Sequence, residues 1–367
     1  MSEQKVVLHL LSRDSGWEES WHVLSLASVM NRSGVRALVA APGQSWAEKN
    51  APVFGVDFEP LAIGSAANPL TWMKLGGLVK KVDAAVVHAH DYSAAVVTMR
   101  ARMSGCRRVA SLYRRNEVDS SILKLDVVFA SSERVKGRYD SLRLLYAGAN
   151  ADVARAAIER RDAIRAKFIA DLCPAKEKPL FLASIGPFNE AGRQRALLSI
   201  MPDILVRLPQ THLLLAGDGP DYPELERMMR IMALENDVTF LEPEPDFLDL
   251  LAASDLYVSM RKDDDAGIMI HAAMAVGRAG VVAEAGVGQE FHANGKVGVS
   301  IAANQSEDKQ AEDCKGAVLH FLQNRHNREH HGRLAIAREL QSYCLTEAVK
   351  AMLAAYQIPV LAGGVYS

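Results

Sequence analysis

No run of apolar residues in this 367-residue chain approaches the roughly 20 that a membrane span requires. Cysteine is scarce: Cys106, Cys173, Cys314 and Cys344 are widely spaced and form no CxxC pair. Reduced, structural thiols of a cytosolic protein are therefore expected. Charge of one sign is also lacking. A net charge of −2 gives no bulk attraction to nucleic acid or anionic lipid, so no nucleic-acid partner is expected. The N-terminal residues lead straight into a strand and do not read as a signal peptide. Cytoplasmic localisation without a transmembrane segment follows as an expectation. Low-complexity tracts and short-period repeats are absent too. The length exceeds what one core serves, which suggests two domains.

What is present is an alternation of strands and helices, organised around residues 213–220. There an apolar run ends in Gly217-Asp218-Gly219-Pro220, and residues 224–229 follow with helical spacing. The pattern predicts a buried parallel strand, a tight turn and an amphipathic helix. A strand at 237–241, a helix at 248–253, a strand at 255–259, a glycine-bearing loop at 263–267, a helix at 268–276 and a strand at 280–283 complete that half. The first half predicts strands at 6–11, 35–41, 56–61, 84–88, 109–112, 127–130 and 142–146. Helices are expected at 21–30, 70–81 and 92–103, with a polar loop at 12–20 that contains Gly16. Such alternation implies parallel sheets covered by helices on both faces, with right-handed crossovers. In open sheets of this kind ligands bind at the loops after the strands.

Residues 155–172 form a charged helical stretch, followed by a Pro/Lys-rich connector. A basic amphipathic helix could rest on a membrane surface and make the protein peripheral; a linker helix lying across the two domains is the better account. Terminal helices are expected at 310–323, 333–343 and 347–356. The histidines His326, His330 and His331 read as a solvated helix face, and no metal is expected.

The order and spacing of these pieces resemble the family 4 (group 1) glycosyltransferases, retaining enzymes of the GT-B fold. The residues that carry the resemblance are 213–220, the strand at 237–241, Ala252-Ala253-Ser254-Asp255, and Ala273-Met274-Ala275 followed by Gly277. In the first half, Val86 to Asp91 and Ala130 to Lys136 add to it. The resemblance implies two Rossmann-like doubly wound domains facing a central cleft. The expected divisions are an acceptor-side domain at 1–150, a linker at 151–178, a nucleotide-sugar-side domain at 179–343, and a terminal helix at 344–367 packing back on the first domain. It also implies a nucleotide-sugar as substrate and no cofactor. Basic side chains and helix N-termini must stabilise the diphosphate as the glycosidic bond breaks.

The sequence departs from the family at each such place. In the loop 186–192, Pro187 stands where the family's arginine is expected and Ala191 where its lysine is expected. The family's paired glutamates fall on Asp264 and Ala272, or on Asp263 and His271 in a register one residue earlier. Tyr113 stands where the N-terminal histidine is expected. Glu290 matches a family glutamate, and its other reading is a residue at a helix start. A rebuilt donor site would draw on Gly16, Gly186, Arg193, Asp218, Lys262, Gly267 and Glu290, with Arg195 and Arg261 as further substitute cations. Catalytic roles would fall to His90, Asp264 and His271, and acceptor-side contacts to His88 and Tyr113. His88 and His90 could equally be strand-end histidines satisfied by the next loop. Two functional readings stay open: a glycosyltransferase acting on an unknown acceptor, and a catalytically silent scaffold that binds a nucleotide or a protein partner.

Overall fold

The computed structural model describes residues 4–13, 15–63, 66–263, 266–284, 286–292 and 295–359. In chain order the elements are β1 (Val6–Leu10), α1 (Trp17–Arg32), β2 (Arg36–Ala41), α2 (Trp46–Asn50), β3 (Asp57–Pro60), α3 (Pro69–Val82), β4 (Ala84–Ala89), α4 (Tyr92–Arg100), β5 (Arg107–Leu112), β6 (Val127–Ala130), α5 (Glu133–Lys136) and β7 (Arg143–Leu144). Then come α6 (Ala151–Leu172), β8 (Leu180–Ile185), α7 (Gln194–Arg207), β9 (Thr211–Ala216), α8 (Tyr222–Ile231), β10 (Val238–Leu241), α9 (Phe247–Ala253), β11 (Leu256–Ser259), α10 (Ile268–Ala275), β12 (Gly280–Ala283), α11 (Gly288–Phe291), β13 (Gly298–Ile301), α12 (Glu307–Gln323), α13 (Arg325–Ser342) and α14 (Leu345–Tyr356).

Contacts gather the chain into two units, Met1–Asn150 with Tyr343–Ser367, and Ala151–Ser342. The first holds a sheet in the order β3-β2-β1-β4-β5-β6-β7, the second a sheet in the order β10-β9-β8-β11-β12-β13. The strand pairings are parallel in both. Burial on both faces explains why the strands read as continuous apolar runs: every residue of β1 and of β9 is buried. In the first unit, Leu8, Leu10, Val87 and Leu112 pack on one face of the sheet. Val7, Val39, Val86 and Val109 pack on the other, beneath α1 and α14. Each such side chain contributes about 1.5–3 kcal/mol by leaving water.

Helix starts follow local chemistry. Asn68 caps α3 just before Pro69, and the Asp91 carboxylate accepts the Ala94 N–H at 2.8 Å to cap α4. The order of strands reverses direction between β1 and β4 in one sheet and between β8 and β11 in the other. Those two switch points, at the carboxyl ends, are where a ligand would find a crevice.

Four stretches differ from the sequence expectation. Part of the polar loop at 12–20 is helix: α1 begins at Trp17 because Trp17 and Glu18 are buried at its first turn. The strand expected at 142–146 is only Arg143–Leu144. The edge strand β13 was not anticipated, being short and half-exposed. The stretch 155–172 is part of α6, which packs on α9 inside the second unit, with Arg160 bonded to Asp249 at 2.7 Å. In the first unit α14 packs on α1 through Leu345, Val349 and Met352. Among the described residues no helix is long and apolar enough to cross a membrane.

Candidate active site

At the carboxyl end of the second sheet three loops meet. The loop after β8 and the loop after β9 are pressed backbone to backbone. The Gly186 N–H donates to Ala216 O at 3.0 Å, and the Phe188 N–H donates to Asp218 O at 2.7 Å. A Cβ on Gly217 would fall 2.0 Å from Gly186 O, and one on Gly219 would fall 2.4 Å from Phe188 O. Both glycines also adopt φ near +150°, so no other residue fits there. The glycines of the Gly-Asp-Gly-Pro turn thus serve the neighbouring loop. Asp218 between them is exposed.

The third loop, after β11, brings the cations. Arg261 lies along Gly186: a Cβ on that glycine would be 3.3 Å from Arg261 Cδ and 3.6 Å from Nη1. The Arg261 side chain is only 11% exposed, and its Nε is 3.4 Å from the Asp263 carboxylate. The Lys262 N–H donates to Ala191 O at 3.0 Å, while its ammonium reaches Glu307 at 2.6 Å. Gly267 begins α10 at φ 65°, where a Cβ would strike the Phe291 ring at 2.3 Å. An open pocket of about 650 Å³ adjoins these loops, lined in part by Asn189, Arg193, Arg195, Lys262 and Glu307.

Other predicted donor-site residues are held by the scaffold. Arg193 sits at φ 57°, a left-handed conformation that costs a non-glycine residue roughly 1–2 kcal/mol. Its guanidinium turns inward, 2.6 Å from Gln310 Oε1 and 3.6 Å from Glu307, and so fastens α7 to α12. His271 is wholly buried, with Nδ1 at 2.8 Å from Glu339 Oε2 and its ring against Phe291, so it joins α10 to α13. Glu290 lies in α11, where its carbonyl accepts from Arg338 at 3.0 Å. Asp264 lies outside the described residues.

The carboxyl end of the first sheet is built from histidines. Parallel register sets His9 of β1 beside His88 of β4. His90 follows at the strand end, its Nε2 2.8 Å from His9 Nδ1 and its Nδ1 2.9 Å from the Tyr113 hydroxyl. His88 is bonded to the Tyr356 hydroxyl of α14 at 2.5 Å and to Ser111 at 2.8 Å. All three rings are fully buried. Burial, reinforced by the other histidines, lowers His9 to about 3 and holds His88 and His90 well below the ordinary histidine value. Burial likewise pushes the Tyr113 phenol well above its usual range. At neutral pH the cluster is a chain of uncharged donors and acceptors.

His88, His90 and Tyr113, expected to touch ligand, are here enclosed, His90 bonded to Tyr113 and His9, and His88 to Ser111 and Tyr356. Nitrogens of His9, His88 and His90 come within 4.8 Å of each other, the grouping a metal would need. Hydrogen bonds between His9 and His90 and to the hydroxyls of Tyr113, Ser111 and Tyr356 engage both nitrogens of His88 and His90 and His9 Nδ1, while His9 Nε2 is buried without a hydrogen-bond partner. Gly16 starts α1 at the same end of the sheet, and a Cβ there would meet Glu19 Oε2 at 2.7 Å. The helix supplies its own negative charge at that N-terminus, through Glu18 and Glu19. Sequence reasoning passed over His9, His22, Ser111 and Tyr356. The signal for His9 lay in matching the two apolar strands, Val6 to Leu10 against Val86 to Ala89, since their alignment puts the two histidines side by side.

Comparison with known proteins gives this site its context. Residues 179–324 match the family model of glycosyl transferases group 1. A glycosyltransferase from Rickettsia africae superimposes with a TM-score of 0.75 at 13% identity, covering 97% of this chain and 98% of that one. Anabaena HepE, in complex with UDP and glucose, superimposes with a TM-score of 0.73 at 18% identity over 96% of this chain and 100% of its own. The N-acetyl-alpha-D-glucosaminyl L-malate synthase of Bacillus anthracis is 28% identical over 101 residues, 28% of this chain and 26% of that protein's length. Residues 179–324 are thus similar to the glycosyl transferases group 1, and the two parallel-sheet units have the GT-B fold of those solved structures.

Proposed function

We propose that this protein is a retaining glycosyltransferase that binds a nucleotide-sugar, a UDP-sugar first among candidates, at the carboxyl end of the second sheet. The acceptor is an unidentified small molecule or polymer end. One observation carries the reading: the cations lost from the loop after β8 have counterparts in the loop after β11. Arg261 lies against Gly186, next to Pro187, and Lys262 is bonded through its backbone to Ala191. The Arg261 guanidinium therefore stands beside the turn that lost the arginine, and Lys262 leaves the backbone at the position that lost the lysine, with its ammonium on Glu307. A diphosphate leaving group needs such charge together with helix N–H groups, and α10 presents its N-terminus from Gly267.

Arg261 takes the bridging role in this reading. Its side chain is largely withdrawn from water, where one charge-stabilising donor is worth about 3–4 kcal/mol in a transition state. Lys262, half exposed and shared with Glu307, contributes less. A second reading, the catalytically silent scaffold, draws on Ala272, which is fully buried in α10 where a ribose-binding carboxylate would stand. Arg193 and His271, spent on packing, point the same way.

Calorimetric titration with UDP, GDP, ADP and their common sugars separates the two. The transferase reading expects a saturable dissociation constant near or below about 100 μM, roughly 5.5 kcal/mol of binding. It also expects Arg261→Ala to weaken that binding about 100-fold, with Lys262→Ala milder. Absence of binding by every nucleotide in a folded sample would sink it and turn the search to protein partners.

A further inference from the structure

At the opposite, amino end of the second sheet lies a cavity of about 700 Å³ between α6, α13 and the starts of β8, β11 and β12. Seven cations and three carboxylates line it, an excess of four positive charges in a molecule whose net charge is −2. Three of the cations are fixed by the fold. Arg165 donates to the carbonyls of Ala253 and Pro179, Arg278 to Ser254 at 2.9 Å and twice to Val276, and Arg328 to Phe321 and Leu322. Among the described residues Asp255 is the carboxylate paired with this trio, 2.9 Å from Arg165 and 3.7 Å from Arg328, and Glu329 acts on Arg328 at longer range. Arg325 is satisfied by Glu329 at 2.7 Å.

The remaining three cations are Arg161, Lys178 and Arg333. Among the described residues no hydrogen bond or salt bridge reaches their side chains; Lys178 and Arg333 are exposed, Arg161 and Arg333 feel the Glu329 carboxylate at longer range, and the Arg161 Nε is buried without a hydrogen-bond partner. A buried guanidinium N–H without an acceptor costs about 1–3 kcal/mol, more for a charged group. A scaffold that gathers fixed guanidinium groups around one carboxylate, and leaves a further buried donor unused, is short of an anion. The same shortage shows in Arg278, which burial and the neighbouring Arg161 lower to about 10.

We propose that this cavity binds a phosphate-bearing anion, at a site separate from the carboxyl end where the nucleotide-sugar is placed. Arginine forks match the oxygens of a phosphate two at a time, and a dianion would offset much of the excess charge. The volume is large for a bare phosphate and leaves room for the group that the phosphate esterifies. A soluble phosphoester and a lipid headgroup offer the same chemistry. The site does not depend on the donor-site reading, because it shares no residue with it.

The test uses the full chain with Arg161→Gln, Lys178→Gln and Arg333→Gln combined, since none of these side chains holds the fold. Pyrophosphate and inorganic phosphate are titrated by calorimetry, and vesicles of phosphatidylcholine with and without phosphatidic acid are co-sedimented. In the Arg261→Ala background, which disables the donor site, the chain should still bind pyrophosphate saturably, with Arg161→Gln about 10-fold more weakly and with the triple substitution not measurably. Arg261→Ala should leave this binding unchanged, which distinguishes it from binding at the donor site. Sedimentation with phosphatidic acid that is lost in the triple variant, without affinity for the soluble anions, would assign the phosphate to a headgroup. Equal affinity with and without the triple substitution in that background overturns the site, as does loss in Arg261→Ala alone or a failure of wild type to bind either anion or vesicle.

Discussion

The two ends of the second sheet handle positive charge in opposite ways. At the carboxyl end the turn is made of glycines whose Cβ positions are filled by neighbouring backbone, and two cations, Arg261 and Lys262, lean on it from one loop. At the amino end, arginines from a helix, a strand start and a second helix converge on a single carboxylate. The first arrangement leaves an approach for ligand along exposed backbone. The second stores charge in the scaffold, where removing the compensating group is expensive. Position in the fold, more than residue type, decides whether an arginine recognises a ligand or holds helices together.

The sharpest way to separate them is to remove Asp255. Its Oδ2 accepts from the Phe181 N–H at 2.9 Å and from Arg165, and its side chain is 9% exposed. Asp255→Ala leaves Arg165, Arg278 and Arg328 facing one another, an uncompensated buried charge that costs about 3–5 kcal/mol. Urea unfolding should show that loss, and added pyrophosphate should recover part of it. Arg261→Ala, by contrast, should leave the unfolding midpoint nearly where it was while nucleotide affinity falls. A loss below about 1 kcal/mol for Asp255→Ala would mean that water already screens the arginines.

Much of this layout was legible in the sequence. The strand–helix alternation fixed the two parallel sheets because doubly buried strands read as unbroken apolar runs. The replaced residues Pro187, Ala191 and Ala272 were legible because the surrounding glycines kept their spacing. The fate of the candidate replacements was not. Arg193 and Arg261 are both arginines in loops beside the same turn, yet one is turned into Gln310 and the other lies along Gly186. Only the backbone decides that, through the left-handed φ at Arg193. His271 similarly looked like a ligand-facing polar residue on α10, and its partner Glu339 is 68 positions away. The amino-end cavity escaped notice because its arginines come from three separated segments, none unusual alone.

The histidine end of the first sheet extends the comparison, since its charge can be changed by pH while the arginine ends keep theirs. His9 is neutral when folded, with burial and His22 lowering it to about 3, and it is flanked by His88 and His90. Unfolding exposes a histidine of ordinary value near 6.5, so the unfolded chain binds more protons between those values. Stability is therefore fully present above about 6.5 and is lost as pH falls toward about 3. Each such group adds about 1.4 kcal/mol per pH unit to the slope. His9→Gln should reduce the slope of unfolding free energy between pH 6 and 4 by about that amount. His88, His90, His212 and His292 would keep the remaining slope steep. A slope unchanged by His9→Gln would mean that this ring takes up its proton while the protein is folded.

The smallest expected effect is the one that tests whether the donor-site cations have been placed on the correct element. Arg195 borders the same open pocket as Lys262 and is a further substitute cation by sequence, but it stands on the outer turn of α7. Its side chain is 53% exposed and shared loosely between Asp221 at 3.8 Å and Glu224 at 3.6 Å. Exposed pairs of that kind contribute about 0–1 kcal/mol. Arg195→Gln should therefore change neither the unfolding midpoint nor the nucleotide dissociation constant by more than about twofold, roughly 0.4 kcal/mol. Measured beside Arg261→Ala under the same salt, the pair is decisive because both variants remove one positive charge. If charge alone attracted the nucleotide, the two losses would be similar. If the diphosphate is held at the Gly186 turn, the Arg261 variant loses about 100-fold and the Arg195 variant almost nothing. The reverse ranking would move the donor site out to the face of α7, and the correspondence between the β8 and β11 loops would no longer have a function.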